Sequence, residues 1–175
     1  MHRRIFFLLA VGALAVTVIV VGPAVGRAPG PKTHEPHLVR ALGNESFEAN
    51  TLIQATFRFS PERSFPHTGE RLRWVDRDSV EEPHTITIVR RGQLPTSLDE
   101  VFDCQPCNDA LGQHFSTDPP SLRVDVGQPG LDQPGDSLLL LPGTSIGAVV
   151  SAPAGTNLRY LCSIHPWMQG KIVVG

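Results

Sequence analysis

Near the C-terminus a thiol, an imidazole and a thioether fall within one short segment, Cys162-Ser163-Ile164-His165-Pro166-Trp167-Met168. A second imidazole, His84, lies far upstream in Pro83-His84-Thr85-Ile86-Thr87-Ile88-Val89. Two His and one Cys in a trigonal set, with Met as a weak axial ligand, form the donor set of a copper electron-transfer site. Soft sulfur favours Cu(I), and imidazole suits Cu(II) as well. A site that accepts both states with little rearrangement passes single electrons quickly.

Such donors need elements that aim them. Leu158, Tyr160 and Cys162 alternate, so they share one face of a strand, and Cys162 is its last inward residue. His165 and Met168 then follow on the turn, which Pro166 stiffens by fixing its own φ. Gly170 lets the chain re-enter a strand, and Lys171-Ile172-Val173-Val174 closes the domain. Upstream, His84, Ile86 and Ile88 fall on one face, so His84 tops a buried stripe.

The run Tyr160-Leu161-Cys162-Ser163-Ile164-His165-Pro166-Trp167-Met168-Gln169-Gly170, with Pro83-His84-Thr85 before it, resembles the cupredoxins, the family of plastocyanin and amicyanin. The Cys-His-Met spacing is closest to amicyanin, since plastocyanins place a longer stretch between the His and the Met. The resemblance covers residues 47–175. It implies an all-β, Greek-key β-sandwich binding one type 1 copper ion through His84, Cys162, His165 and Met168. It also implies that His165 is the ligand nearest solvent, and that Pro166 and Trp167 belong to an apolar patch where a redox partner docks. One position departs from the family. Plastocyanin-like proteins place Asn after the first ligand His, where it ties two loops together, and this chain has Thr85. The expectation is that the Thr85 hydroxyl bonds to the Ser163 region instead, within the shell that tunes the metal.

The chain has 175 residues, a formal net charge of −2 and no Lys/Arg-rich run, which argues against nucleic-acid binding. Sixteen Gly and sixteen Pro favour many turns and short strands over helices. Met1-His2-Arg3-Arg4 is a basic start, and Ile5 to Val21 is apolar apart from Thr17, with Gly12 as its one helix weakener. Gly22-Pro23 ends that run, and small residues suited to cleavage follow. Residues 1–28 therefore read as a signal peptide or a retained signal anchor helix, either of which places the domain outside the cytoplasmic membrane. Residues 29–46, polar and Pro-rich, read as a flexible linker. Its His34-Glu35-Pro36-His37 segment reads as a solvated tail.

In residues 47–175, alternating runs predict about eight strands: 51–60, with Ile53, Ala55, Phe57 and Phe59 on one face, then 71–76, 84–89, 121–126, 136–141, 145–151 and the two that flank the metal loop. A helical insertion interrupts them. Ser97-Leu98-Asp99-Glu100 is a capping box, and Val101, Phe102, Leu111 and Phe115 supply a partial apolar face, with Pro106 breaking the segment into two short helices. Cys104 and Cys107 in this insertion have three readings: a local disulfide, a thioredoxin-like redox pair, or a second metal site completed by His114. An odd cysteine count suits pairing these two and leaving Cys162 as a thiolate.

Three functions fit. The first is an exported one-electron carrier, with no substrate chemistry of its own. The second is extracytoplasmic copper capture and delivery, for which the Cys104/Cys107 pair and the N-terminal histidines would speak. The third, a copper enzyme, is disfavoured because such enzymes resemble repeated domains with further His-rich copper sites.

Overall fold

Alternating apolar residues divide the chain between two facing sheets. The computed structural model describes residues 37–175. Its strands are β1 (His37–Leu42), β2 (Glu45–Glu48), β3 (Leu52–Ala55), β4 (Arg58–Ser60), β5 (Arg63–Ser64), β6 (Arg71–Asp76), β7 (His84–Val89), β8 (Arg123–Val124), β9 (Ser137–Leu140), β10 (Ser145–Val149), β11 (Asn157–Leu161) and β12 (Gln169–Val173). One sheet runs β10-β6-β1-β4, the other β5-β12-β11-β7-β9-β8, and β2 and β3 form a separate hairpin. Between the sheets lies one core. Val39, Ala41, Leu72, Trp74 and Ala148 come from the first sheet, and Ile86, Ile88, Leu138, Leu140, Leu158, Tyr160 and Ile172 from the second. The fold is thus the expected β-sandwich with a helical insertion.

Three boundaries differ from the sequence reading. Residues 37–46, read as linker, open the sandwich: β1 pairs parallel to β6 and antiparallel to β4, burying Val39 and Ala41. The surrounding Pro and charged residues mask that short alternation. The expected strand 51–60 is two strands. Thr56 donates its N–H to the Asn44 carbonyl at 2.9 Å and its hydroxyl to Asn44 Oδ1 at 2.8 Å, which pins the base of the β2–β3 hairpin. Ile53 is consequently 82% exposed, while Phe57 and Phe59 are buried. At the same crossing Gly43 has φ +151°, and a Cβ there would sit 2.6 Å from the Phe57 Cα, so only Gly lets the two segments meet. Finally, the expected strand at 121–126 shrinks to β8. The signal or anchor segment, residues 1–28, and His34 lie outside the described residues. Among the described residues no helix is long and apolar enough to cross a membrane.

The insertion forms α1 (Leu98–Phe102) and α2 (Gln105–His114). The Ser97 hydroxyl caps α1 by accepting the Glu100 N–H. The segment is two short helices, as expected, and Pro106 lies in the first turn of α2, where its missing N–H is needed by no partner. The face α2 buries is Cys107, Ala110 and His114. Phe102 and Phe115, expected to point inward, are 80% and 54% exposed. Cys104 and Cys107 are disulfide-bonded and pack with Val89 and Leu161, on the side of β7 and β11 opposite the main core. Both sulfurs are therefore committed to each other and are not donors for a second ion.

His114 fastens the end of α2. Its Nδ1 donates to the Ser121 carbonyl at 2.6 Å and its Nε2 meets Ser137 Oγ at 2.8 Å. Burial lowers its pKa below the ordinary 6.5, with the Ser121 carbonyl opposing. The folded chain therefore takes up this proton less readily than the unfolded chain does. The stability this site contributes is complete above about pH 6.5 and is lost as pH falls through the depressed folded value.

Two predictions follow from α2. Denaturant midpoints should fall as pH is lowered from about 8 to about 5, and His114→Gln should remove part of that fall. Replacing Cys104 and Cys107 together by Ser should cost about 2 kcal/mol, a short-loop value, and lower the melting temperature by roughly 5–10 °C. Metal content per chain should stay unchanged. A loss of one bound ion would restore the second-site reading.

Candidate metal centre

Two strand ends and one loop build the centre. β7 begins with His84, and β11 ends at Leu161 with Cys162 directly after it. The two strands are antiparallel neighbours, with Leu161 opposite Thr87. This register brings the start of one to the end of the other. The loop after Cys162 then folds back: Met168 donates its N–H to the His165 carbonyl at 2.8 Å, and Cys162 donates its N–H to the Met168 carbonyl at 2.9 Å. Pro166 occupies the second position of the four-residue turn from His165 to Met168, where its fixed φ is favoured. Gln169 donates its side-chain amide to the Pro95 carbonyl at 2.8 Å, tying the loop to the lead-in of α1. Gly170 stands opposite Tyr160 on β11 and leaves the room that the Tyr160 ring fills.

The outcome is a cluster of His84, Cys162 and His165 whose ligand atoms all lie within 4.8 Å of one another. Cys162 Sγ is 3.8 Å from His84 Nδ1 and 3.8 Å from His165 Nδ1. Ordinary bonds to a metal of about 2.0 Å from imidazole and about 2.3 Å from thiolate fit these separations with a roughly trigonal opening. His84 and Cys162 are fully buried, and His165 is 8% exposed. Met168 is 1% exposed in the same core cluster as Cys162, on the loop that carries His165. The residues present therefore fit a soft, three-coordinate metal.

Asp78, absent from the sequence reading, sets the chemistry of His84. Its Oδ2 lies 2.8 Å from His84 Nε2, and both side chains are fully buried. A carboxylate only accepts, so the ring proton sits on Nε2 and the Nδ1 lone pair is left facing Cys162. Asp78 Oδ1 also accepts the N–H groups of Val80 and Glu81, both at 2.9 Å. Burial alone would raise the Asp78 pKa. The Val80 N–H, His84 and the Glu81 N–H outweigh it and hold the carboxyl below its usual range. No spacing rule singles out Asp78 among Asp76, Glu81 and Glu82; only its fold contact does. A second acidic grouping, Asp76 with Asp78 and His84, shares these residues.

The other donors are shifted for reasons of their own. Burial pushes the His165 pKa down to about 4, helped by His84 and opposed by Asp78. Burial pushes the Cys162 thiol up, and N–H groups of Thr85, His165 and Ile164 partly offset this. Without a cation the sulfur keeps its proton, and a metal would displace it. Thr85 meets the expectation placed on it: its N–H donates to Cys162 Sγ at 3.3 Å, and its hydroxyl accepts the Ser163 N–H at 2.6 Å. Phe57, another residue the sequence did not single out for the site, packs its ring on His165 at 4.4 Å and on His84 at 5.6 Å. Trp167, 43% exposed, meets His165 edge-on at 5.3 Å.

Neither a family model nor a curated protein matches the chain. Solved structures similar to it include a purple cupredoxin from Nitrosopumilus maritimus, at 19% identity and TM-score 0.43, covering 79% of this chain and 99% of that one. Auracyanin A, a "blue" copper protein from Chloroflexus aurantiacus, is similar at 16% identity and TM-score 0.43, covering 81% and 100%. Amicyanin from Paracoccus versutus is similar at 12% identity and TM-score 0.40, covering 81% and 83%.

Asp78→Asn should weaken metal binding by about 10–100-fold, the usual cost of removing a carboxylate behind a ligand His. Competition titration against a chelator measures this. Affinity equal to that of the unaltered chain would remove Asp78 from the centre.

Proposed function

We propose that this chain is a cupredoxin-like type 1 copper protein that carries one electron at a time. The observation that carries the reading is the buried thiol of Cys162 held 3.8 Å from the Nδ1 atoms of two imidazoles. Copper bound there would supply a one-electron couple. His84, Cys162 and His165 would hold it, with Met168 as a further, weaker donor. The protein's own contribution is rigidity. The Asp78 carboxylate fixes the His84 ring, the Thr85 N–H fixes the sulfur, and two backbone hydrogen bonds close the loop. Donors that stay put in both oxidation states keep the reorganisation on electron transfer small.

Burial of the donors also speaks for a carrier over an enzyme, since a catalytic metal needs an open position for substrate. His165, 8% exposed, is the least buried of the three, with Trp167 beside it at the surface. An apolar hollow of about 810 Å³ continues from Trp167 across Ile53, Leu98, Val101 and Phe102. A redox partner would dock over His165, Pro166 and Trp167, and electrons would enter and leave through the His165 ring.

Copper capture and delivery is weaker. The Cys104/Cys107 pair and the N-terminal histidines would speak for it, and Cys104 and Cys107 are joined to each other. That bond accords with an oxidising compartment, as do residues 1–28 read as an export signal or anchor. We place the domain in the periplasm or outside the cell, soluble or tethered to the outer face of the cytoplasmic membrane.

The copper-loaded chain should show intense visible absorption and the EPR signature of a Cu(II)–thiolate centre. Cys162→Ser should abolish the colour. Met168→Leu should keep the copper and change the reduction potential. A Cys162→Ser protein with undiminished colour would defeat the assignment.

A further inference from the structure

Behind the donors, on the outer face of β7, lies a buried polar chain to which the copper reading gives no role. Thr85, Thr87, Ser137, Ser163 and His114 are each at most 4% exposed. Thr85 Oγ1 is 3.0 Å from Thr87 Oγ1, Thr87 Oγ1 is 2.8 Å from Ser137 Oγ, and Ser137 Oγ is 2.8 Å from His114 Nε2. Ser163 Oγ joins at Thr87 Oγ1 at 2.9 Å. The chain therefore runs from the residue after His84 and the residue after Cys162 to the last residue of α2.

One atom decides the direction of every bond in it. The Ser121 carbonyl only accepts, so His114 carries its hydrogen on Nδ1. Burial keeps the ring neutral, and Nε2 is then a lone pair. Ser137 must donate to it. With its single hydrogen committed, Ser137 accepts from Thr87. Thr87 in turn accepts from both Thr85 and Ser163. Thr85 thus points its hydroxyl hydrogen at Thr87 while accepting the Ser163 N–H. Each hydroxyl has one hydrogen and two lone pairs, and Thr87 uses all three.

We propose that His114 is a positioning residue for the metal centre: by accepting at Nε2 it fixes the direction of the hydroxyl chain and holds the Thr85 hydroxyl hydrogen away from the Cys162 sulfur. This rests on the reading of His84, Cys162 and His165 as copper ligands. The Thr85 N–H lies 3.3 Å from Cys162 Sγ and the Thr85 hydroxyl 2.6 Å from the nitrogen of Ser163, the residue bonded to Cys162, so this hydroxyl stands beside the sulfur. If the acceptor at His114 is removed, Ser137 is free to donate to Thr87. Thr87 then turns to Thr85 or Ser163, and the Thr85 hydrogen freed by the first of these turns to the sulfur. Hydrogen bonds donated to the Cys sulfur tune the potential of such a centre. One more donor draws charge from the thiolate and raises that potential.

The test uses the full chain with His114→Leu, Ser137→Ala and His114→Gln. Gln keeps one acceptor and one donor at about the spacing of the ring nitrogens. In the metal-free protein, NMR should show a nuclear Overhauser contact between the Thr85 hydroxyl proton and Thr87. His114→Leu and Ser137→Ala should each lose it and gain one to the Cys162 β-protons, and His114→Gln should keep it. With copper, the first two variants should show a raised reduction potential and a charge-transfer band moved to higher energy, and His114→Gln should match the unaltered chain. Should His114→Leu fail to fold, Ser137→Ala cuts the same chain with a smaller change. Folded variants that keep both the Thr85–Thr87 contact and the original potential would overturn the proposal and leave His114 as a fastening for α2. An unaltered protein that binds copper without thiolate colour would overturn the copper reading, and with it the role of His114 at the metal, even if the contact moved.

Discussion

A thiol and two imidazoles buried side by side at the end of an apolar core must each find a partner. A buried polar group left unpaired costs on the order of 1–3 kcal/mol. The surroundings meet that demand at two of the donors. His84 reaches the Asp78 carboxylate and Cys162 receives the Thr85 N–H, while the His165 ring is held by packing against Phe57 and Trp167. The two Nδ1 atoms and the sulfur remain, each Nδ1 3.8 Å from the sulfur. A cation completes the arrangement by pairing with the three groups together. Tight burial of the donors and affinity for a soft metal are thus one constraint seen from two sides.

The period of β7 serves both sides of that strand. Its inward residues, His84, Ile86 and Ile88, complete the sandwich core and end in a ligand. Its outward residues, Thr85, Thr87 and Val89, face the helical insertion. An outer face of a sandwich usually meets water, so hydroxyls there would need no protein partners. Here all six positions are buried. The hydroxyls are paired across the sheet with Ser137 and beyond it with His114, and the apolar Val89 packs with the Cys104–Cys107 disulfide. The insertion supplies the third layer that turns a solvated face into a buried one.

Much of this is readable in the sequence, and what is not has a physical reason. His84, Cys162, His165 and Met168 stand out because strand alternation and turn chemistry act on neighbours, and these candidate donors sit at strand ends and on one short loop. Ser97 and Thr85 are legible for the same reason. Asp78 and Phe57 are not, since each reaches the site through contacts set by the packed fold. β1 hides because two inward residues, Val39 and Ala41, are a weak signal among Pro, His and Arg. Ile53 misleads because the alternation of 51–60 continues through Thr56, where a side-chain bond to Asn44 ends one strand and turns the next. Phe102 and Phe115 mislead because helical periodicity finds an apolar stripe, whereas the face α2 buries is chosen by the disulfide and His114.

The position of the disulfide has a further consequence. Cys104 and Cys107 close a loop too short to constrain much of the unfolded chain, so topology gives them little leverage. Their packing gives more. They rest on Val89 and Leu161, and Leu161 is bonded in sequence to Cys162. A shift of α2 would be transmitted through Leu161 to the strand end that presents the sulfur, and through His114 and Ser137 to the hydroxyls behind it. Besides the Gln169–Pro95 bond at the loop, the insertion is therefore coupled to the centre by an apolar cluster and a polar chain, on adjacent strands. Two independent contacts of different chemistry hold a strand end against both sliding and rotation, which a single contact cannot do. The one-electron role proposed for the centre, in which the distances between donors should stay fixed, would draw on both restraints.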